Sequence, residues 1–204
     1  MFRAFIVIIL ILNSSSVSAS TNSSVLVLGD SISAAHGIDT QSGWVSLLAL
    51  KITQEKLPYQ VINASISGDT TIGGLNRLES LLDKYQPAVV ILELGGNDGL
   101  RGLSIKVIKT NLKKMIEMSQ NYRSKVLLAG MKIPPNYGKR YTEAFNKIYQ
   151  DLSESHKTEL IPFLLEGIGD KSELMQSDGI HPTKKAQPLI MEFVWKKLQP
   201  LLNN

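Results

Sequence analysis

The chain is predicted to fold as a three-layer α/β domain, a five-stranded parallel sheet with helices on both faces. Short apolar runs recur five times, and a stretch with helical spacing separates each run from the next. No internal repeat, low-complexity tract or linker interrupts that pattern after residue 24. The chain has 204 residues, enough for one ordinary domain with its own core and too few for two large ones.

Met1-Phe2-Arg3 is a short positive start, Ala4 to Leu12 is an unbroken apolar run, and Ser16-Val17-Ser18-Ala19-Ser20 offers small residues at cleavage positions. This is the pattern of a secretory signal peptide. Its apolar run of 9 residues falls well short of the roughly 20 needed to span a bilayer. Removal after Ala19 would leave 204 − 19 = 185 residues, so residues 1–19 are read as a leader and 20–204 as a single domain. A periplasmic or secreted protein follows. There is no cysteine, which excludes both a disulfide and a thioether-linked lipid anchor.

The strands are expected at Ser24–Leu28, Gln60–Asn63, Ala88–Leu92, Lys125–Ala129 and Leu160–Phe163, as short Val-, Ile- and Leu-rich runs. Pro87 stands just before the third, where a missing amide costs little. Helices are expected at Trp44–Lys56, Leu75–Lys84, Ile105–Asn121, Arg140–His156 and Lys184–Leu202. In the first of these Trp44, Leu47, Leu48 and Lys51 mark a single buried stripe. Pro134-Pro135 opens a loop after the fourth strand, and Pro182-Thr183 starts the last helix.

In such a sheet the cleft lies beyond the carboxyl ends of the strands. Gly29-Asp30 stops the first strand and delivers Ser31 there as a candidate nucleophile. A hydroxyl attacks an acyl carbon poorly unless a base takes its proton, and His181 is the residue type suited to that task. Asp178, three positions upstream of His181, can hold the imidazole in one tautomer and stabilise its charged form. Acyl transfer also needs donors for the oxyanion. The Asn97 side chain in Gly95-Gly96-Asn97-Asp98, the Gly68 amide in Ser65-Ile66-Ser67-Gly68-Asp69 and the Ser31 amide are the candidates.

Gly-Asp-Ser at 29–31, Gly68, Gly-Gly-Asn-Asp at 95–98 and Asp-x-x-His at 178–181, in that order and over most of the chain, resemble the four blocks of the SGNH (GDSL) hydrolases. The resemblance implies a flavodoxin-like sheet and a serine esterase acting on acyl esters and thioesters through an acyl-enzyme. It further implies a triad of Ser31, Asp178 and His181, and an oxyanion hole of Ser31, Gly68 and Asn97. Lysophospholipids, fatty acyl thioesters and simple aryl or alkyl esters are the implied substrates, with no cofactor. Ile32-Ser33 stands where the family often carries Leu-Thr, which leaves the chemistry untouched. The alternative within the family is a carbohydrate O-deacetylase. Outside it, a lipid carrier with a vestigial triad is the competing class.

Asp30 and Asp98 are read as braces of their own strand-end turns rather than a metal or acid–base pair. His36 and His156 are read as structural or surface residues, with His36 close enough to line the cleft. Ile72, Leu75, Leu100, Ile133, Pro134 and Ile180 are candidates to meet an acyl chain. No G-x-G-x-x-G, P-loop, Asp-x-Asp-x-Asp-Gly loop or G-x-S-x-G elbow is present. The net charge of +4 is spread over basic pairs set among acids, so nucleic acid is not expected as a partner. Transient contact with an anionic membrane surface stays open, and a monomer is expected.

Overall fold

Val25 and Val27 point to one side of the first strand and Leu26 and Leu28 to the other, and all four are fully buried. A strand covered on both faces carries no polar alternation, as the sequence shows. The computed structural model describes residues 23–202, and the leader assigned to residues 1–19 lies outside them. Five strands form one sheet: β1 (Ser23–Gly29), β2 (Tyr59–Asn63), β3 (Val89–Glu93), β4 (Lys125–Ala129) and β5 (Glu159–Ile161). Their order is β2-β1-β3-β4-β5 and every pair is parallel. Val25 pairs with Val61 on one side and Val89 on the other.

Helices α1 (Trp44–Gln54) and α6 (Gln187–Leu202) cover the face of Val25 and Val27. Helices α2 (Thr71–Tyr85), α4 (Ile105–Asn121) and α5 (Lys139–His156) cover the face of Leu26 and Leu28. A short helix α3 (Gly96–Leu100) sits at the carboxyl edge of the sheet. Each fully buried Leu or Val adds about 1.5–3 kcal/mol relative to exposure. The two clusters on either side of β1, β3 and β4 therefore hold the layers together. In α1 the buried stripe is Trp44, Val45, Leu48 and Ile52; Trp44 and Leu48 are as predicted, and Val45 and Ile52 stand in place of Leu47 and Lys51, which are half-buried. Gln187 joins the two helices of that layer, its Oε1 accepting from the Trp44 amide at 3.0 Å. No helix among the described residues is long and apolar enough to cross a membrane.

Element boundaries differ from the sequence expectation where local chemistry overrides periodicity. α2 begins at Thr71, earlier than Leu75, because Thr70 caps it by accepting from the Gly73 amide at 3.4 Å. β5 stops at Ile161 because Pro162 has no amide to continue the ladder. The last helix starts as a 3₁₀ turn at Lys184–Ala186 before α6.

Asp98 is a correction of a different kind. It does not brace its own turn. Its Oδ2 accepts from the Thr71 amide at 2.8 Å and its Oδ1 from the Thr71 hydroxyl at 2.6 Å, while Asn111 Nδ2 donates to that hydroxyl at 3.0 Å. All three residues are buried. The carboxylate thus ties α3 to the first turn of α2 and, through Asn111, to α4. Asp98→Ala strips two buried donors of their acceptor and should lower the unfolding free energy by about 2 kcal/mol. A shifted urea midpoint at unchanged slope checks this. An unchanged midpoint would mean that Thr71 finds other acceptors.

Candidate active site

The sheet order reverses between β1 and β3, and this is where a doubly wound sheet opens a crevice at its carboxyl edge. Ser31 follows β1, Gly68 follows β2, Asn97 follows β3 at the start of α3, and the loop before α6 carries Asp178 and His181. The structure brings the three triad candidates together. His181 Nε2 lies 2.9 Å from Ser31 Oγ, and His181 Nδ1 lies 2.7 Å from Asp178 Oδ2.

The turn at Asp178 explains its own electrostatics. Asp178 Oδ1 accepts from the Ile180 amide at 2.9 Å and the His181 amide at 3.0 Å. The His181 amide, then the His181 ring, then the Ile180 amide hold this carboxyl far below the usual carboxylate range. It therefore remains an anion beside the imidazole at every working pH.

The loop itself is stitched down. Met175 and Pro182 form an antiparallel bridge, the Gln176 amide donates to His181 O at 2.7 Å and the Thr183 amide to Leu174 O at 2.7 Å. Gln176 Nε2 reaches across to His36 O at 2.8 Å and also meets Pro182 O at 3.1 Å. Gln176 thus fastens the loop of His181 to the turn of Ser31, a role no sequence motif announces. The His36 ring lies 4.4 Å from the His181 ring, tilted by 39°, so His36 does reach the site. His156 remains structural, its Nδ1 placed against Leu152 O and Ser155 Oγ at the end of α5.

The three oxyanion candidates occupy two distinct states. Among the described residues the amides of Ser31 and Gly68 donate to no protein group. Gly68 has a φ of +79° and empty space where a Cβ would stand, which suits an amide presented outward. Its carbonyl accepts from Arg101 Nη2 at 3.2 Å. Asn97 Nδ2, by contrast, already makes two bonds, to Asp30 Oδ2 at 3.0 Å and to Asp69 O at 3.0 Å.

Asp30 does brace its own turn, as expected, with Oδ1 accepting from the Ile32 amide at 3.1 Å. Burial pushes its pKa up to about 6, against the opposing pull of the Ile32 amide, Glu93, His181 and Asn97. Behind it stands Glu93, fully buried at the end of β3. Sequence reasoning passed over Glu93, although an acid inside an apolar strand was the available signal.

A cavity of about 530 Å³ opens beside Ser31 and His181. Leu100, Ile133, Pro134 and Ile180 line it as expected, but Ile72 and Leu75 do not. Ile72 is exposed on α2, and Leu75 packs against the core. Met131, Phe163, Leu164, Leu165 and Met175 complete the apolar wall. They come from the segments after β4 and β5, and none of the five belongs to a catalytic motif.

Residues 27–188 match the GDSL-like lipase/acylhydrolase family. The chain is 52% identical to esterase TesA of Pseudomonas aeruginosa over 178 residues, 87% of this chain and 89% of that protein. It is 42% identical to thioesterase 1/protease 1/lysophospholipase L1 of Escherichia coli K12 over 186 residues, 91% of this chain and 88% of that one. Among solved structures, the psychrotrophic esterase EstA from Pseudoalteromonas sp., inhibited by monoethylphosphonate, superposes with a TM-score of 0.84 at 44% identity. That superposition covers 89% of this chain and 99% of that one. With its blocks converging at the carboxyl edge of a five-stranded parallel sheet, the chain belongs to the GDSL (SGNH) family of acylhydrolases and is a hydrolase of ester bonds.

Proposed function

We propose that the protein hydrolyses acyl esters and thioesters through an acyl-enzyme on Ser31, with His181 as base and acid and Asp178 as the group that orients it. The observation that carries this reading is the chain of contacts Asp178–His181–Ser31, at 2.7 and 2.9 Å, opening onto an apolar cavity. Ser31 Oγ attacks the acyl carbonyl carbon and its proton passes to His181 Nε2. The C–O or C–S bond then breaks, and the departing alcohol or thiol takes that proton. Water repeats the sequence in reverse: its oxygen bonds to the acyl carbon, its proton goes to His181, and Ser31 leaves with the proton restored.

The amides of Ser31 and Gly68 are free to receive the oxyanion, and Asn97 joins them by redirecting one of its two hydrogens. The apolar wall favours a lipid-like acyl chain over an acetyl group on a sugar, because burial of methylenes gives about 0.8 kcal/mol each. The lysophospholipase and thioesterase named among its relatives act on such chains in name. We propose further that the enzyme acts outside the cytoplasm after loss of residues 1–19, a reading supported by the leader pattern at Met1–Ala19.

Purified mature protein should hydrolyse p-nitrophenyl esters with kcat/KM rising from acetate to medium chains, with Ser31→Ala as the blank. A preference for acetate that persists on acetylated polysaccharide would replace the lipid reading with the deacetylase one. Ser31→Ala and His181→Ala should each lower kcat by at least about a thousandfold while circular dichroism is unchanged. A fluorophosphonate should label the wild type at Ser31 and leave Ser31→Ala unmarked. Wild-type turnover in either variant would remove the triad from the mechanism.

A further inference from the structure

Glu93 is the least expected side chain in the molecule. It ends the central strand β3, is fully buried, and no Lys, Arg or His is bonded to it among the described residues. Its Oε2 accepts from the Asp30 amide at 3.1 Å and from Ser33 Oγ at 2.5 Å. Its Oε1 is buried and receives nothing from any N–H or O–H group. The chain even makes room for it, since a Cβ on Gly29 would stand 2.5 Å from Oε2. Gly29, Asp30 and Ser33 are the turn that carries Ser31, so one carboxyl grips that turn from behind.

The other group that Glu93 meets is the carboxyl of Asp30, itself buried. Two carboxylates cannot both be charged at contact in a site stripped of water, and two carboxyls form a hydrogen bond only when one carries a proton. Asp30 is the member with compensation: the Ile32 amide, Asn97 Nδ2 and the field of His181 all favour its anion. Glu93 is supported on one oxygen only, by Ser33 Oγ and the Asp30 amide, and burial followed by the charge of Asp30 drives its pKa well above the usual carboxylate range. The remaining titratable groups nearby do not help it. Tyr149 on α5 donates its hydroxyl to Leu94 O and not to Glu93.

We propose that Glu93 is a positioning residue for the hydrolytic site: it works as a proton-bearing carboxyl that hydrogen-bonds to Asp30 and thereby fixes the Ser31 turn and the Asn97 amide. Resting on the mechanism above, this adds a third carboxyl to its workings, one that never touches substrate. The line of contact runs from Glu93 Oε2 to the Asp30 amide at 3.1 Å and from Asp30 Oδ2 to Asn97 Nδ2 at 3.0 Å. Because Glu93 must donate as well as accept, an amide can replace it and an alkyl group cannot.

The test combines infrared spectroscopy with kinetics on Glu93→Gln and Glu93→Ala, using p-nitrophenyl butyrate. At pH 7 the wild type should show the carbonyl stretch of a protonated carboxylic acid, and Glu93→Gln should lack it. Glu93→Gln should keep kcat within about threefold, whereas Glu93→Ala should lose about ten- to a hundredfold in kcat with KM little changed, the scale of a misplaced catalytic group. No acid band at pH 7, a band that persists in Glu93→Gln, a Glu93→Gln rate that falls as far as Glu93→Ala, or a Glu93→Ala rate like wild type would each overturn the proposal. Should Glu93→Ala fail to fold, the band and the Glu93→Gln rate decide alone. The infrared result does not depend on which residue is the nucleophile, so a failure of the triad and a failure of this proposal are separable.

Discussion

The contact between His181 and Ser31 joins residues 150 positions apart at 2.9 Å, and the rest of the structure works to keep those two ends still. Neither residue could do so alone. Ser31 stands at the end of β1, which is hydrogen-bonded to a neighbour on each side and buried on both faces. His181 stands on a loop with no such backing. Its position is fixed instead by the Met175–Pro182 bridge, by the turn around Asp178 Oδ1 and by Gln176, which reaches the carbonyl of His36 just past Ser31. A rigid strand thus supplies one partner and a stitched loop the other, an arrangement that leaves room for the loop to differ between relatives without disturbing the sheet.

Three acids near this contact divide by environment. Asp178 is partly exposed and surrounded by donors, so it remains an anion and can balance an imidazolium. Asp30 is buried yet still meets donors from Ile32 and Asn97, and titrates at about 6. Glu93 is buried deeper, with one carboxyl oxygen that receives no donor. The gradient runs from the cleft inward, so negative charge is retained where a positive charge develops during catalysis and suppressed where it would only cost solvation.

The candidate site was legible because its polar residues stand at the ends of apolar runs or at the spacing of a turn. Ser31 and Asn97 interrupt hydrophobic segments, and Asp178 and His181 sit in a loop with the spacing of a turn. The sheet was legible for the same reason, since strands buried on two faces leave five apolar runs. What escaped was whatever depends on partners distant in sequence. Asp98 looked like a local brace, yet its acceptors serve Thr71, 27 positions away. Gln176 carries no motif and acts on His36 across 140 positions. The walls of the cavity, such as Met131 and Phe163, escaped because apolar residues look alike in a core and in a cleft. Glu93 offered a signal, an acid in a buried strand, whose meaning needed the facing Asp30 to be read.

Asn97 shows how the resting site and the proposed reaction fit together. Its two amide hydrogens are held by acceptors of unequal kind, the carboxylate of Asp30 and the neutral carbonyl of Asp69, both at 3.0 Å. A hydrogen bond to a carboxylate is roughly twice as strong as one to a neutral carbonyl. An oxyanion forming on the substrate therefore competes with the Asp69 carbonyl on favourable terms and with Asp30 on even ones. In the proposed reaction the bond to Asp30 would persist as the pivot, and the hydrogen turned toward the substrate would be the one lent to Asp69. The side chain is then already oriented before substrate arrives, held in place by Asp30, the neighbour that Glu93 is proposed to steady.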